Sequence, residues 1–176
     1  MVKVHILEIE SGLEAHAIRY AAEYWGAFVT VTWVGNSAQV VEFLSNKPDH
    51  DVIVISGHGD ERGLLLPELV KEIRSEYPYN YVIRPEDFAK FLKLDGNTII
   101  NASCACGVQS MADVFLAGGT RYYIAPNDYP QGDASLMYLL NFMYEYMQNE
   151  HDVEVAHQIS SEHSDDRRQF TLFKSN

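Results

Sequence analysis

The chain has few cysteines and few basic residues, and each shortage argues against a class of protein. Two cysteines in 176 residues are too few for a disulfide-stabilised secreted scaffold. The chain has 13 Lys and Arg against 25 Asp and Glu, which gives a formal net charge of −12. Binding to nucleic acids depends on Lys and Arg, and anionic membranes repel acidic proteins, so neither is an expected partner. The charge fits a small molecule, a peptide or a basic partner.

Long apolar runs and nucleotide-binding motifs are also missing. No apolar run approaches the ~18–20 residues that a membrane-spanning helix needs. The N-terminal segment MVKVHILEIE is interrupted by Glu8 and Glu10 and lacks a signal-peptide pattern, so we expect a strand there and a cytoplasmic location. The chain has no P-loop, G-x-G-x-x-G or G-x-S-x-G motif, which argues against NTPases, dehydrogenases and serine hydrolases. We expect no cofactor.

Short apolar runs alternate with helical periods along the chain. Strands are predicted at residues 2–9, 28–34, 51–59, 97–103, 121–126 and 168–173. Helices are predicted at residues 11–26, 36–46, 84–94, 107–119, 133–150 and 153–162. This alternation predicts an α/β fold with a mostly parallel sheet. Residues 60–83 interrupt it and are expected to form a hairpin or lid within one domain spanning residues 1–176.

Two predicted strands end in residues that carry chemistry. The third ends in SGHGDE (56–61) and the fourth in NASCACG (101–107). Ligands bind at the carboxyl ends of strands in open parallel sheets, so His58 and the cysteines would share one cleft if these strands are neighbours. A cysteine beside a histidine is the minimum set for thiol nucleophilic catalysis.

Backbone groups near these residues could assist such a reaction. The N–H groups of Gly59 and of the nucleophilic cysteine could form an oxyanion hole, because glycine allows close approach of the backbone to a substrate. A helix that begins near Gly107 would point its N-terminus at the thiolate and lower the pKa of the thiol.

Other interpretations of the two cysteines remain open at this point. One is a zinc site formed by His58, Cys104 and Cys106, although no fourth ligand has a recognisable spacing. Another is a binding module, such as a flavodoxin-like domain, in which the cysteines are small packing residues.

The segments VIVISGHGD and TIINASCACG resemble the paired motifs of the caspase-like cysteine peptidase clan, which includes caspases, metacaspases, gingipains, clostripain, separase and CHAT domains. In that clan one apolar strand ends in His-Gly and another ends in a small residue followed by the catalytic cysteine. The separation here, 104 − 58 = 46 residues, is close to the roughly 50 of caspases. The run Ser103-Cys104-Ala105-Cys106-Gly107 is most similar to the small-Cys-x-x-Gly motif of CHAT domains.

The resemblance implies a three-layer α/β/α sandwich with a mostly parallel sheet of about six strands, related to the flavodoxin fold. It also implies a cysteine endopeptidase that acts on a peptide or protein substrate. Cys104 would be the nucleophile, His58 the general base, and Gly59 and Cys104 the donors of the oxyanion hole. Cys106 stands at a position that the clan does not use for catalysis.

In separase-like members, an acidic residue in the loop after the next strand looks responsible for binding a basic side chain. Asp128 is the nearest match in this chain, with Asp133 behind it, and Asp60 next to the His-Gly pair is a further candidate.

Two further alternatives concern activity and association. A catalytically silent relative that recognises a partner would keep the fold without the chemistry.

The aromatic helix at residues 133–150 is expected to cover the sheet, but its apolar positions extend around much of its circumference, so a homodimer contact is a second interpretation.

Overall fold

The computed structural model describes residues 1–175. Its strands are β1 (Lys3–Glu8), β2 (Phe28–Trp33), β3 (Val52–Ser56), β4 (Gly59–Asp60), β5 (Gly63–Leu65), β6 (Val82–Ile83), β7 (Thr98–Asn101), β8 (Tyr122–Pro126) and β9 (Phe170–Lys174). Its helices are α1 (Gly12–Tyr24), α2 (Ser37–Ser45), α3 (Lys71–Arg74), α4 (Pro85–Phe88), α5 (Gln109–Ala117), α6 (Gly132–Met147) and α7 (Val153–Ser161). None of the helices in this range is long and apolar enough to cross a membrane.

Six strands form one sheet in the order β2-β1-β3-β7-β8-β9, and every neighbouring pair is parallel except β8 and β9. Val52 and Val54 of β3 pack with α1, α6 and α7, whereas Ile53 and Ile55 pack with α2, α4 and α5. All four side chains are fully buried, and each such burial stabilises the fold by roughly 1.5–3 kcal/mol. The predicted three-layer α/β/α sandwich with a mostly parallel, six-stranded sheet is confirmed.

The two strands predicted to end in reactive residues are neighbours. β3 pairs with β7 in parallel, with Ile55 opposite Asn101, and the N–H of Ala102 donates to the carbonyl of Ile55 at 2.8 Å. Both chains therefore leave the sheet side by side at its carboxyl edge, where His58 and Cys104 follow.

After His58, the chain forms a small antiparallel sheet of β4, β5 and β6. Gly63 is required in it, because its φ is +139° and a Cβ there would lie 2.3 Å from the carbonyl oxygen of Ile83. Leu64 and Ile83 are fully buried in the core. The segment that follows His58 is thus anchored on the main body of the fold.

The helix predicted at residues 84–94 is wrong in length, because α4 ends at Phe88. The N–H of Lys93 donates to the carbonyl of Leu44 at 2.9 Å, and the N–H of Leu94 donates to that of Gly118 at 2.7 Å. These bonds to neighbouring elements take the place of the i→i−4 bonds that would extend the helix.

α6 packs its apolar side chains against the sheet. Tyr138, Leu139 and Phe142 are fully buried, and Tyr138 stacks on Phe170 of β9 with ring centroids 3.9 Å apart. The interpretation of this helix as a cover for the sheet is confirmed.

Candidate active site

A buried hydrogen-bond network shapes the turn after β7. The side-chain oxygen of Asn101 accepts the N–H of Ser103 at 3.0 Å, and its amide nitrogen donates to the Tyr123 hydroxyl at 3.2 Å. That hydroxyl donates to the carbonyl of Cys106 at 3.0 Å. The network therefore ties both ends of the turn to β8. The sequence interpretation missed Asn101 and Tyr123, whose only signal is a polar residue at the end of an apolar strand.

Ala105 gives the turn its sharp reversal. Its φ is +54°, a left-handed conformation that costs a residue with a side chain about 1 kcal/mol or more, and its N–H donates to the carbonyl of Asp128 at 2.9 Å. The cysteines on either side consequently lie in different surroundings. Cys104 is half-buried, whereas Cys106 lies fully buried in the core, where burial raises its pKa to about 12. Cys106 is therefore a packing residue and an unreactive thiol.

The His58–Gly59 segment packs directly against this turn. A Cβ at Gly59 would lie 2.4 Å from the carbonyl oxygen of Cys104, 2.8 Å from the sulfur of Cys106 and 3.0 Å from the Cβ of Ser103. Only glycine permits this approach, so the backbones that follow β3 and β7 are in contact.

His58 itself is exposed at the sheet edge. Its carbonyl accepts the N–H of Leu65 at 2.9 Å, which fixes its backbone to the β4–β5 hairpin. Among residues 1–175, no hydrogen bond joins the His58 imidazole to the Cys104 thiol. The structure thus brings the two residues to one edge of the sheet and holds their backbones close, without a bond between their side chains.

The pKa of the Cys104 thiol is raised above its usual value. Partial burial is the main cause, and the nearby Asp128 and Glu14 carboxylates add to it. The expectation that a helix N-terminus lowers the pKa of this thiol is therefore wrong. α5 begins at Gln109 rather than near Gly107, and helix-terminus effects act only over the first turn.

Glu14 of α1 is a second group that the sequence interpretation missed. The Ser56 hydroxyl at the end of β3 donates to the Glu14 carboxylate at 2.6 Å and also bonds the Ser11 hydroxyl at 2.7 Å. Burial raises the pKa of Glu14, while the Ser56 hydrogen bond and the charge of His58 oppose that rise. A half-buried carboxylate therefore lies close enough to His58 and Cys104 to affect the charge of the site. No motif links this residue to a turn more than forty positions away.

The three acidic candidates for substrate binding lie in different settings. Asp128 is exposed and follows β8, with its backbone bonded to the Cys104 turn through Ala105. Asp133 lies in the first turn of α6 and is exposed. The Asp60 carboxylate accepts hydrogen bonds from the Arg62 guanidinium, at 2.7 to 3.2 Å, and from the Arg62 backbone N–H at 2.8 Å, so its charge is already paired. Asp128 is the candidate that the structure places beside Cys104.

A hydrogen bond links the two loops next to Cys104. The Tyr129 hydroxyl donates to the Glu61 carboxylate at 2.7 Å, and this bond raises the pKa of Tyr129 to about 12. Glu61 belongs to the β4–β5 hairpin and Tyr129 to the loop after β8. The bond therefore connects the His58 side of the site with the Asp128 side.

We expect Asp128→Asn to lower the pKa of the Cys104 thiol, because it removes a negative charge that opposes ionisation. The midpoint of the pH profile for iodoacetamide labelling of Cys104 should then move to lower pH. Asp133→Asn is the matched control and should leave the midpoint unchanged. An upward shift in the Asp128 variant, or equal shifts in both, would contradict this reading.

The zinc alternative needs His58, Cys104 and Cys106 in one ligand set. Within residues 1–175, no group of three or more His, Cys, Asp and Glu side chains is placed to hold a metal ion. These three residues accordingly do not form such a group.

A cavity of about 550 Å³ lies away from this site, at the amino edge of the sheet. Its lining includes Asp49, His50, Asp51 and Arg121. Parallel strands place their two ends at opposite edges, so the cavity is remote from Cys104. The site formed by His58 and the Cys104 turn instead lies at the protein surface, where His58 is exposed.

Comparisons with known proteins find likeness in structure. No protein-family model and no curated protein matches this chain in sequence. The crystal structure of the Arg-specific cysteine proteinase gingipain R (RgpB) matches 98% of this chain with a TM-score of 0.65 and 11% identity. The complex of the pro- and mature domains of Porphyromonas gingivalis RgpB matches 99% with a TM-score of 0.63 and 12% identity.

The Saccharomyces cerevisiae separase–securin complex matches 98% of this chain with a TM-score of 0.59 and 12% identity. The chain spans 46% and 47% of the two gingipain chains and 12% of the separase chain. At these identities the likeness concerns the fold. The chain has the caspase-like fold that is also found in gingipain and separase.

Proposed function

We propose that this chain is a cysteine-type endopeptidase with Cys104 as nucleophile and His58 as general base. The Cys104 sulfur attacks a peptide carbonyl while His58 takes the thiol proton, and the carbonyl π electrons move to the oxygen. The tetrahedral intermediate collapses, the C–N bond breaks, and His58 delivers its proton to the departing amine. Water then attacks the thioester carbonyl while His58 accepts its proton, the C–S bond breaks to release the carboxylic acid, and His58 returns the proton to the Cys104 sulfur.

The proposal rests chiefly on the contact between Gly59 and the Cys104 turn. A glycine that directly follows a histidine touches the carbonyl of the one half-exposed cysteine among residues 1–175. The contact brings the backbones of the histidine segment and the cysteine turn together, and a thiol and its base can react only if they are held within reach of each other.

Two backbone N–H groups beside the Cys104 turn are candidates for the donors of the oxyanion hole. The N–H of Leu65 donates to His58, so the next residue in the hairpin, Gly59, directs its own N–H away from β5. Within residues 1–175, no backbone carbonyl accepts the N–H of Cys104. We assign these two N–H groups to the oxyanion hole.

The raised pKa of Cys104 determines how the reaction would start. At neutral pH the resting thiol is protonated, so the proton must move to His58 as the sulfur attacks. The same observation favours a second candidate function, a catalytically silent module that binds a peptide or protein without cleaving it. The contact between Gly59 and the Cys104 turn supports the endopeptidase. The reactivity of the Cys104 thiol distinguishes the endopeptidase from the silent module.

We further assign Asp128 to recognition of a basic side chain next to the scissile bond. Its exposed carboxylate lies beside Cys104, and one protein with the same fold is an Arg-specific proteinase. Asp133 would act at longer range, and Asp60 would need release from Arg62.

Covalent labelling with a peptidyl ketone tests the proposal. An Arg-peptidyl acyloxymethyl ketone should modify Cys104, and His58→Ala should slow this by about a hundredfold or more, because general acid–base assistance is lost. Iodoacetamide, which needs only the thiolate, should label both proteins alike, with rates that rise through a midpoint above the ordinary thiol pKa. Mass spectrometry of the labelled peptides measures both rates, with Cys106→Ala as background. If the ketone labels Cys104 slowly, and at the same rate in the wild type and in His58→Ala, the enzyme proposal is contradicted and the silent module is favoured.

A further inference from the structure

One edge of the main sheet carries none of the usual protection against pairing. β2 pairs with β1 on one side and with no other strand among residues 1–175. Its sequence, FVTVTW, contains no charged residue and no proline. Natural edge strands normally carry lysine, proline or a bulge, because an open edge offers free N–H and C=O groups to another strand.

Alternate residues of β2 direct their backbone groups away from the sheet. The N–H of Phe28 donates to the carbonyl of Val2, directly before β1, at 2.9 Å, and the N–H of Val34 donates to the carbonyl of Glu8 in β1 at 2.8 Å. Since N–H and C=O groups alternate in direction along a strand, Val29, Val31 and Trp33 direct theirs outward. We call Val29, Val31 and Trp33 the outward set, and their positions are symmetric about Val31.

An apolar stripe on α1 runs beside this edge. We define the α1 stripe as Leu13, His16, Tyr20 and Tyr24, whose spacing of three or four residues places them on one face. The His16 ring lies 5.0 Å from Trp33 of β2, which locates the stripe on the outer side of the helix. Leu13, Tyr20 and Tyr24 are 90%, 64% and 88% exposed. Large apolar side chains exposed together next to an open edge mark an interaction surface.

We propose that β2 and the α1 stripe form a symmetric dimer interface, in which the β2 strands of two copies pair antiparallel about Val31 and join the two sheets. A two-fold axis at Val31 places Val29 of one copy opposite Trp33 of its partner and Val31 opposite itself. Each of these pairs exchanges two N–H···O bonds, and the aromatic–β-branched pairs add packing.

The occupant is a second copy because the surface is complementary to itself. The same rotation brings the two α1 stripes side by side on one face of the joined sheet. Two chains of net charge −12 repel, so a dimer forms most easily where the surface carries no charge, and β2 is such a surface. Gln39 is the one side chain bonded to the outward set within residues 1–175, through a 3.4 Å contact of its amide nitrogen with the Trp33 carbonyl.

Analytical ultracentrifugation of the full chain tests the interface. The wild type should sediment at twice its 20.0 kDa mass. Val31→Pro removes an outward N–H without breaking a bond to β1, and Tyr20→Glu charges the α1 stripe, so each should weaken the dimer about tenfold or more. Met137→Glu, at a half-exposed site on α6, is the matched control and should leave the dimer intact.

Amide hydrogen exchange checks the register. On going from dilute to concentrated protein, exchange at Val29, Val31 and Trp33 should slow about tenfold or more, while Thr30 and Thr32, bonded to β1, stay protected at both concentrations. A wild type that remains monomeric, a dimer that survives both variants, or protection that appears elsewhere would overturn the interface. None of these results depends on whether Cys104 is catalytic.

Discussion

Replacing Cys104 with alanine is expected to lower peptide hydrolysis by at least about a thousandfold, because the proposed mechanism has no second nucleophile. The only other cysteine, Cys106, is fully buried, and its pKa of about 12 keeps it protonated. The measurement is the rate of cleavage of an Arg-containing fluorogenic peptide by purified protein.

Cys106→Ala is the matched control for this prediction. It removes a buried sulfur, which should cost about 1–2 kcal/mol of unfolding free energy while leaving hydrolysis largely unchanged. Loss of hydrolysis in the Cys106 variant with retention in the Cys104 variant would reverse the assignment of the two thiols.

Gly59→Ala is expected to disrupt the site by steric overlap. The added Cβ would lie 2.4 Å from the carbonyl oxygen of Cys104, a backbone atom that cannot rotate away. Overpacking of this kind typically costs about 1–3 kcal/mol or more, and here it must also displace the β4 segment from the Cys104 turn. Urea unfolding should therefore show a lowered unfolding free energy, and the peptidyl ketone should label Cys104 slowly.

Gly132→Ala is the control for the glycine prediction. Gly132 begins α6, has no positive φ, and has open space where its Cβ would stand. Alanine there should be neutral or stabilise the protein by up to about 1 kcal/mol. If Gly59→Ala matched Gly132→Ala in both stability and labelling, the contact between the two turns would not be essential.

The surroundings of Cys104 keep the intrinsic reactivity of its thiol low. Partial burial and the carboxylates of Glu14 and Asp128 disfavour the thiolate. A substrate with a basic side chain would offset the Asp128 charge and so favour ionisation of Cys104. In the proposed mechanism the Asp128 carboxylate would both select the substrate and restrain the reactivity of the free protein.

The sequence carried the information that is local in the chain. Apolar runs followed by small polar residues indicated where β3 and β7 end, because strands buried on both faces need continuous apolar sequence. Placing His58 and Cys104 at two strand ends therefore required no tertiary structure. The prediction for residues 84–94 failed because the N–H groups of Lys90 and Phe91 form i→i−3 bonds and the backbone of Lys93 and Leu94 bonds to elements that are distant in sequence.

The sequence by itself determined the layers of the fold and the two strand ends that carry a histidine and a cysteine. Only the tertiary structure decided that Gly59 touches the Cys104 turn, that Asn101 and Tyr123 hold this turn, and that Glu14 lies nearby. The physical reason is that hydrogen bonds, steric contacts and Coulomb interactions depend on distance in space. Residues that are distant in the chain reach these distances only after the sheet has formed.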